Sequence, residues 1–87
     1  MNRFNLYDVK DNKYVFYMLM VDKERYNVYD SLTSDHVMYA RLVDNDRINF
    51  FESKSNEFLF YSLLIDKKRI NIFDSKEGKY KFYGLSA

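Results

Sequence analysis

The sequence predicts an all-β fold, an eight-stranded antiparallel meander made of four β-hairpin repeats that closes into a small barrel or stays a curled sheet. Three observations carry this. A six-residue phrase recurs every 22 residues, as Arg3 Phe4 Asn5 Leu6 Tyr7 Asp8, Arg25 Tyr26 Asn27 Val28 Tyr29 Asp30, Arg47 Ile48 Asn49 Phe50 Phe51 Glu52 and Arg69 Ile70 Asn71 Ile72 Phe73 Asp74. An apolar run follows each phrase and holds a Tyr at a fixed place, at Tyr17, Tyr39, Tyr61 and Tyr83. Turn-forming residues separate phrase from run at intervals too short for helices. The chain therefore reads as one domain, residues 1–87, of four copies of one unit at 3–24, 25–46, 47–68 and 69–87.

The phrases form the first strand of each hairpin, over 3–8, 25–30, 47–52 and 69–74. Phe4 and Leu6, Tyr26 and Val28, Ile48 and Phe50, and Ile70 and Ile72 point to one face, while Arg, Asn and the last aromatic point to the other. The second strands, over 14–21, 36–43, 58–65 and 80–85, are rich in the aromatic and β-branched residues that suit a pleated surface. Between the two lie Val9 to Asn12, Ser31 to Ser34, Ser53 to Asn56 and Ser75 to Gly78. Three of these loops end on Asn or Gly, which tolerate positive φ, so a type I turn followed by a left-handed residue is expected. The preceding Asp8, Asp30, Glu52 and Asp74 are placed to cap the turns by accepting backbone N–H groups. The links Asp22 Lys23 Glu24, Asp44 Asn45 Asp46 and Asp66 Lys67 Lys68 are short enough to force antiparallel neighbours. Pro is absent, as strands with every amide in use require.

A β-solenoid with the same period would stack Arg25, Arg47 and Arg69 at the strand spacing of about 4.8 Å. Like charges at that distance repel by roughly 1 kcal/mol per neighbour even in water. A meander puts another strand between equivalent positions and avoids the conflict.

Three-residue turns at Asp22, Asp44 and Asp66 place one parity of the second strands beside Phe4 and Leu6. That parity is Tyr14, Phe16, Met18 and Met20, then His36, Met38, Ala40 and Leu42, then Phe58, Phe60, Ser62 and Leu64, then Tyr80, Phe82 and Gly84, and it carries no formal charge. It is the expected core. The other parity holds Val15, Leu19, Val37, Leu59, Leu63, Ile65 and Leu85 beside Arg41 and Lys81, so it must reach water. Two-residue loops at the same turns would exchange the faces.

Composition narrows the function. With 47% hydrophobic residues, 20% aromatics and 31% charged residues the chain can fold and stay in solution, and disorder is excluded. There is no Cys, hence no disulfide framework and no thiolate metal site. Met1 leads into the first phrase without an apolar leader, and no run has the length of a membrane span, so a cytoplasmic protein that does not contact membrane is expected. A formal charge of +1, from 14 basic and 13 acidic residues, supplies no global field for nucleic acid. The single histidine, His36, stands in an aromatic column and reads as a packed ring, and neither a triad nor a phosphate-binding glycine loop can be drawn. A non-catalytic protein with no cofactor and no metal is expected.

One surface remains to carry function. The face opposite the core combines Arg3, Arg25, Arg47 and Arg69 with the phrase aromatics Tyr7, Tyr29, Phe51 and Phe73, the fixed Tyr17, Tyr39, Tyr61 and Tyr83, and Arg41. Tyr and Arg are enriched at interface cores because each offers large area with a polar tip. The plainer reading is that the rings lie flat and pair across strands, worth about 0.2 to 1 kcal/mol each. The face predicts a small protein-binding module or inhibitor, of the kind phages and mobile elements encode, that binds itself as a homo-oligomer or a foreign protein. Two other readings stand beside it. One is a single-stranded nucleic-acid binder whose tyrosines stack bases. The other is a barrel holding a small apolar ligand, although eight short strands leave an interior that side chains alone can fill.

Overall fold

Eight strands close into one antiparallel barrel in sequence order. They are β1 (Arg3–Asp8), β2 (Tyr14–Asp22), β3 (Arg25–Asp30), β4 (His36–Asp44), β5 (Arg47–Glu52), β6 (Phe58–Asp66), β7 (Arg69–Asp74) and β8 (Tyr80–Ser86). The computed structural model describes residues 3–44 and 46–87, without the side chains of Leu64 and Ile65. The expectations for Asn45 and for those two side chains lie outside the described residues. Of the two outcomes left open by the sequence, the closed one holds, because β1 pairs with β8 from Phe4 opposite Ser86 to Asp8 opposite Phe82. No strand edge is left unpaired, which removes the hazard an open sheet carries. Among the described residues no helix is long and apolar enough to cross a membrane.

The four long loops share one construction. The amides of Asn12, Ser34, Asn56 and Gly78 donate to the carbonyls of Asp8, Asp30, Glu52 and Asp74 at 2.7–2.9 Å. Those four residues have φ of 55°, 63°, 63° and 69°, so Ser34 takes the left-handed conformation as well as the three residues suited to it. The capping by acids is also present: Asp8, Asp30 and Asp74 each accept two backbone amides, and Glu52 accepts that of Ser55.

Each second strand carries one residue more than its partner can pair. Leu6 faces Phe16 but Tyr7 faces Tyr14, which leaves Val15 as a bulge; Val37, Leu59 and Lys81 occupy the equivalent places. A bulge frees carbonyls that must find donors. Ser31 supplies both, its amide to Val15 O at 3.0 Å and its hydroxyl to Tyr14 O at 3.1 Å. Ser53 does the same for Val37 and His36, and Ser75 for Leu59 and Phe58. At the closing seam Val9 gives only its amide, to Lys81.

The bulge corrects part of the expected core. Beyond it the parity reverses, so Tyr14, His36, Phe58 and Tyr80 stand on the outer wall opposite Tyr7, Tyr29, Phe51 and Phe73. Val37 and Leu59, expected outside, turn in and pack against the core. At the opposite rim the links differ too: Asp22 pairs directly with Arg25 across a two-residue loop, and Val21 becomes a second bulge. That bulge cancels the parity change of the shorter loop. The centre of the barrel thus keeps the faces expected for three-residue turns.

Phe4, Leu6, Met18, Tyr26, Val28, Met38, Ala40, Ile48, Phe50, Ile70 and Ile72 fill the interior. Phe16, Phe60 and Phe82 close one end edge to face, with Phe82 centroids 5.6 and 5.3 Å from the other two. Large residues are set against small ones around the waist. Ala40 faces Phe50, Ser62 faces Ile48 and Ile72, and Gly84 faces Leu6 and Ile70. A Cβ on Gly84 would lie 2.7 Å from Leu6 Cδ2 and 2.8 Å from Ile70 Cγ1, so this position needs glycine for space. Ser62 is fully buried and its hydroxyl has no hydrogen-bond partner among the described residues.

Two substitutions in this one column are expected to act in opposite directions. Gly84→Ala overpacks the waist and should destabilise by about 1 to 3 kcal/mol. Ser62→Ala removes an unpaired buried hydroxyl, into a space that Ala40 already occupies one repeat earlier, and should stabilise by about 1 kcal/mol. Urea denaturation of the three proteins checks both signs.

Candidate functional site: the outer wall

The outer wall brings together the residues that the sequence singles out. In the phrase, Arg and Asn alternate outward with the last aromatic, and the fixed Tyr of the next strand lies beside them. Each Arg reaches over the fixed Tyr of its own repeat: the guanidinium carbons of Arg3, Arg25, Arg47 and Arg69 sit 4.6, 5.1, 4.7 and 4.8 Å from the ring centroids of Tyr17, Tyr39, Tyr61 and Tyr83. The other face of each Tyr stacks on a phrase aromatic of the next repeat. Tyr17 meets Tyr29, Tyr39 meets Phe51, Tyr61 meets Phe73 and, across the seam, Tyr83 meets Tyr7, with centroids 5.2–5.5 Å apart and planes within 20°.

A third ring extends every stack. Tyr14, His36, Phe58 and Tyr80 tilt against Tyr7, Tyr29, Phe51 and Phe73 at 5.5–5.7 Å. These four residues belong to the site and were assigned to the core by sequence. The signal that marks them is an aromatic ring in all four copies, in step with the phrase aromatic across the loop. His36 is accordingly an exposed ring packed on Tyr29.

Hydrogen bonds hold the stacks at both ends. The hydroxyls of Tyr17, Tyr39 and Tyr83 donate to Ser34 Oγ, Asn56 Oδ1 and Asn12 Oδ1, the side chains of the left-handed loop residues. At Tyr61 the corresponding residue is Gly78, which has no side chain to accept. On the arginine side, Nε of Arg3, Arg47 and Arg69 donates to Oδ1 of Asn5, Asn49 and Asn71 at 3.0–3.1 Å. Arg3 and Arg69 also donate to the hydroxyls of Tyr14 and Tyr80. An Arg lying on an aromatic face contributes about 0.5 to 2 kcal/mol, and an aromatic pair about 0.5 to 1.5. The fixed tyrosines therefore serve the fold, and at the same time are held rigid at the surface.

The second repeat departs from the pattern. Nε of Arg25 and Oδ1 of Asn27 are buried without partners among the described residues, although their counterparts bond to each other in the other three repeats. Arg25 is also the guanidinium farthest from its ring. The cause stands across the strand pair. Arg25 faces Arg41, where Arg3, Arg47 and Arg69 face Leu19, Leu63 and Leu85. Like charges directly opposed repel, which disfavours at Arg25 the geometry that the other three arginines take.

Beyond the stacks, apolar side chains remain open to water. Leu19, Leu63 and Leu85 are 36%, 44% and 39% exposed, and Phe58 is 37% exposed. Val21 and Val43 stand out from the bulges at the short-turn rim. Among the described residues no group of three or more His, Asp or Glu is placed to hold a metal ion. Comparison with family models, with curated proteins and with solved structures finds no match.

The capping acids tie the loops to pH. Amides of Thr33 and Leu32 hold the Asp30 carboxyl below its ordinary range, the hydroxyl and amide of Ser55 do so for Glu52, and the amides of Glu77 and Lys76 for Asp74. A carboxylate whose pKa is depressed in the folded state stabilises above its unfolded pKa of about 3.9 to 4.3, and that contribution is lost as pH falls through the folded value. Thermal stability should therefore stay level down to about pH 5 and fall below about pH 4. Asp74→Asn should make the acid limb shallower, which melts followed by circular dichroism across pH 2 to 7 would show.

Arg41→Leu restores the pairing found in the other repeats and relieves a like-charge pair. It should stabilise by about 0.2 to 1 kcal/mol, and the Arg25 Nε proton should show the hydrogen-bonded chemical shift of the other three arginines. A chemical denaturation curve and an arginine side-chain NMR spectrum check the two halves.

Proposed function

We propose that this chain is a small non-catalytic protein-binding module of the cytoplasm that binds through its outer wall, with a second copy of itself as the first partner. The observation that carries the reading is the set of apolar side chains left uncovered between rigid aromatic stacks, Leu19, Leu63, Leu85 and Phe58 above all. Large apolar side chains left exposed on several sides of a small domain offer area to a partner. The stacks support the same reading. Rings already locked by Arg, by neighbouring rings and by loop hydrogen bonds have little side-chain freedom left to lose on binding, and loss of that freedom is a main cost of association.

The nucleic-acid reading gains less. Base stacking needs open aromatic faces, and Tyr17, Tyr39, Tyr61 and Tyr83 have one face on an aromatic ring and the other under an arginine. The apolar-ligand reading gains less as well, because an eight-stranded barrel has an interior that buried side chains such as Phe4, Phe50 and Ile72 can fill.

Tyr61→Asp would break a stack as well as change the surface, so Leu63→Asp is the cleaner probe. Sedimentation equilibrium from low to high micromolar concentration should show reversible association of the wild type and its loss in Leu63→Asp, with an unchanged thermal melt. A wild type that stays monomeric throughout refutes self-association. Titration with oligothymidine should leave the tyrosine fluorescence unchanged, and a saturable, salt-sensitive quench would return the nucleic-acid reading.

A further inference from the structure

The four repeats are alike in fold and unlike in charge. Repeat 2 (residues 25–46) holds Asp30, Asp35, Asp44 and Asp46 against Arg25 and Arg41, a net charge of −2. Repeat 4 (residues 69–87) holds Arg69, Lys76, Lys79 and Lys81 against Asp74 and Glu77, a net charge of +2. In a closed barrel of four hairpins these two repeats lie on opposite sides. The molecule is thus polarised across its girth, a property that its overall charge of +1 conceals.

Between the two charged sides lies the β5–β6 wall. At the short-turn rim it is flanked by Asp44 and Asp46 in the β4–β5 turn and by Lys67 and Lys68, which outnumber Asp66, in the β6–β7 turn. At the long-loop rim it is flanked by Asp35 on one side and on the other by Lys76 and Lys79, which also pair with Glu57 and Glu77 at 3.6 and 3.3 Å. All seven of these flanking residues are exposed. The wall itself is the most apolar of the four. Its cross-strand aromatic pair is Phe51 with Phe58, where the β1–β2 wall has Tyr7 with Tyr14, the β3–β4 wall Tyr29 with His36, and the β7–β8 wall Phe73 with Tyr80. It also carries Leu63, the most exposed leucine of the wall positions.

We infer that a second copy of this chain docks on the β5–β6 wall, with the two barrels side by side and parallel about a twofold axis along the barrel. This deepens the protein-binding reading above and rests on it. The symmetry follows from the charges. A twofold axis parallel to the barrel axis sets the acidic flank of each copy against the basic flank of the other, twice over. A perpendicular axis would set acid on acid and base on base. Isologous interfaces need a patch that is complementary to itself in this way. The area is sufficient: a quarter of the 5562 Å² accessible surface is roughly 1,400 Å², against roughly 800 Å² per partner in a stable dimer.

Charge exchange tests this on the full chain. Asp35→Lys with Asp46→Lys makes both flanks basic, and Lys67→Glu with Lys79→Glu makes both acidic. Each double variant alone should dimerise about tenfold or more weakly than wild type, because four exposed pairs become repulsive. An equimolar mixture should regain wild-type affinity as a one-to-one heterodimer, and wild-type dimerisation should weaken with added salt. Leu19→Asp, on the opposite wall, should leave the dimer intact. A wild type that is monomeric at high micromolar concentration in low salt overturns the inference. So does a dimer indifferent to both double variants. Loss of association in Leu19→Asp alone overturns the placement on β5–β6 while leaving outer-wall binding standing, which separates failure of this inference from failure of the broader reading.

Discussion

The unpaired residue in each second strand, and the serine that closes it, set the terms for everything outside the barrel. Val15, Val37, Leu59 and Lys81 are each one residue too many for the partner strand. Side-chain parity in a strand is strict, so a single extra residue sends every position beyond it to the other face. That shift carries Tyr14, His36, Phe58 and Tyr80 out of the core and onto the ends of the aromatic stacks. The cost is freed carbonyls, and Ser31, Ser53 and Ser75 meet it with an amide and a hydroxyl apiece. Where Val9 stands in place of serine, only the amide bond remains. The seam between the first and last strands is therefore the plainest of the four junctions.

Inside, closure imposes the opposite demand. An eight-stranded barrel has room for side chains and little more, so every large residue at the waist needs a small one beside it. Met18, Ala40, Ser62 and Gly84 occupy one equivalent position in the four repeats. Met18 lies between Phe4 and Val28, Ala40 between Tyr26 and Phe50, Ser62 between Ile48 and Ile72, and Gly84 between Leu6 and Ile70. The repeats are equal in backbone and unequal in side-chain volume at this position. The buried, unpartnered hydroxyl of Ser62 is the exception, a polar group held where a methyl would do.

The arginines join the two levels. Each one lies over the Tyr of its own repeat, which in turn stacks on the next repeat, so the interactions run around the barrel as a continuous belt. The belt is closed by Tyr83 on Tyr7 in the same way that the sheet is closed by β8 on β1. It departs from its pattern at Tyr61, where Gly78 offers no acceptor, and at Arg25, where Arg41 replaces leucine and no bond to the asparagine is made among the described residues. The wall presents exposed leucines beside stacked rings, and its polarity comes from rim charges that differ from repeat to repeat.

The sequence by itself determined the number and order of the strands and the residues that turn the long loops, while the facing of the barrel's middle waited on the bulges that offset the two-residue links. The strands and turns follow from local rules: period-two alternation, residues that accept positive φ, and acids able to cap the amides that follow them. Arg3, Arg25, Arg47 and Arg69 with the phrase aromatics and the fixed tyrosines were legible as one face for the same reason. Closure, the reversal at the bulges and the stacking order were decided only in three dimensions. A bulge saves nothing locally; it is favoured because Val37 and Leu59 reach the core and four rings reach their stacks. Likewise the charge of +1 is a sum over the chain, and only the closed ring places Asp35, Asp44 and Asp46 on one side of the β5–β6 wall and Lys67, Lys68 and Lys79 on the other.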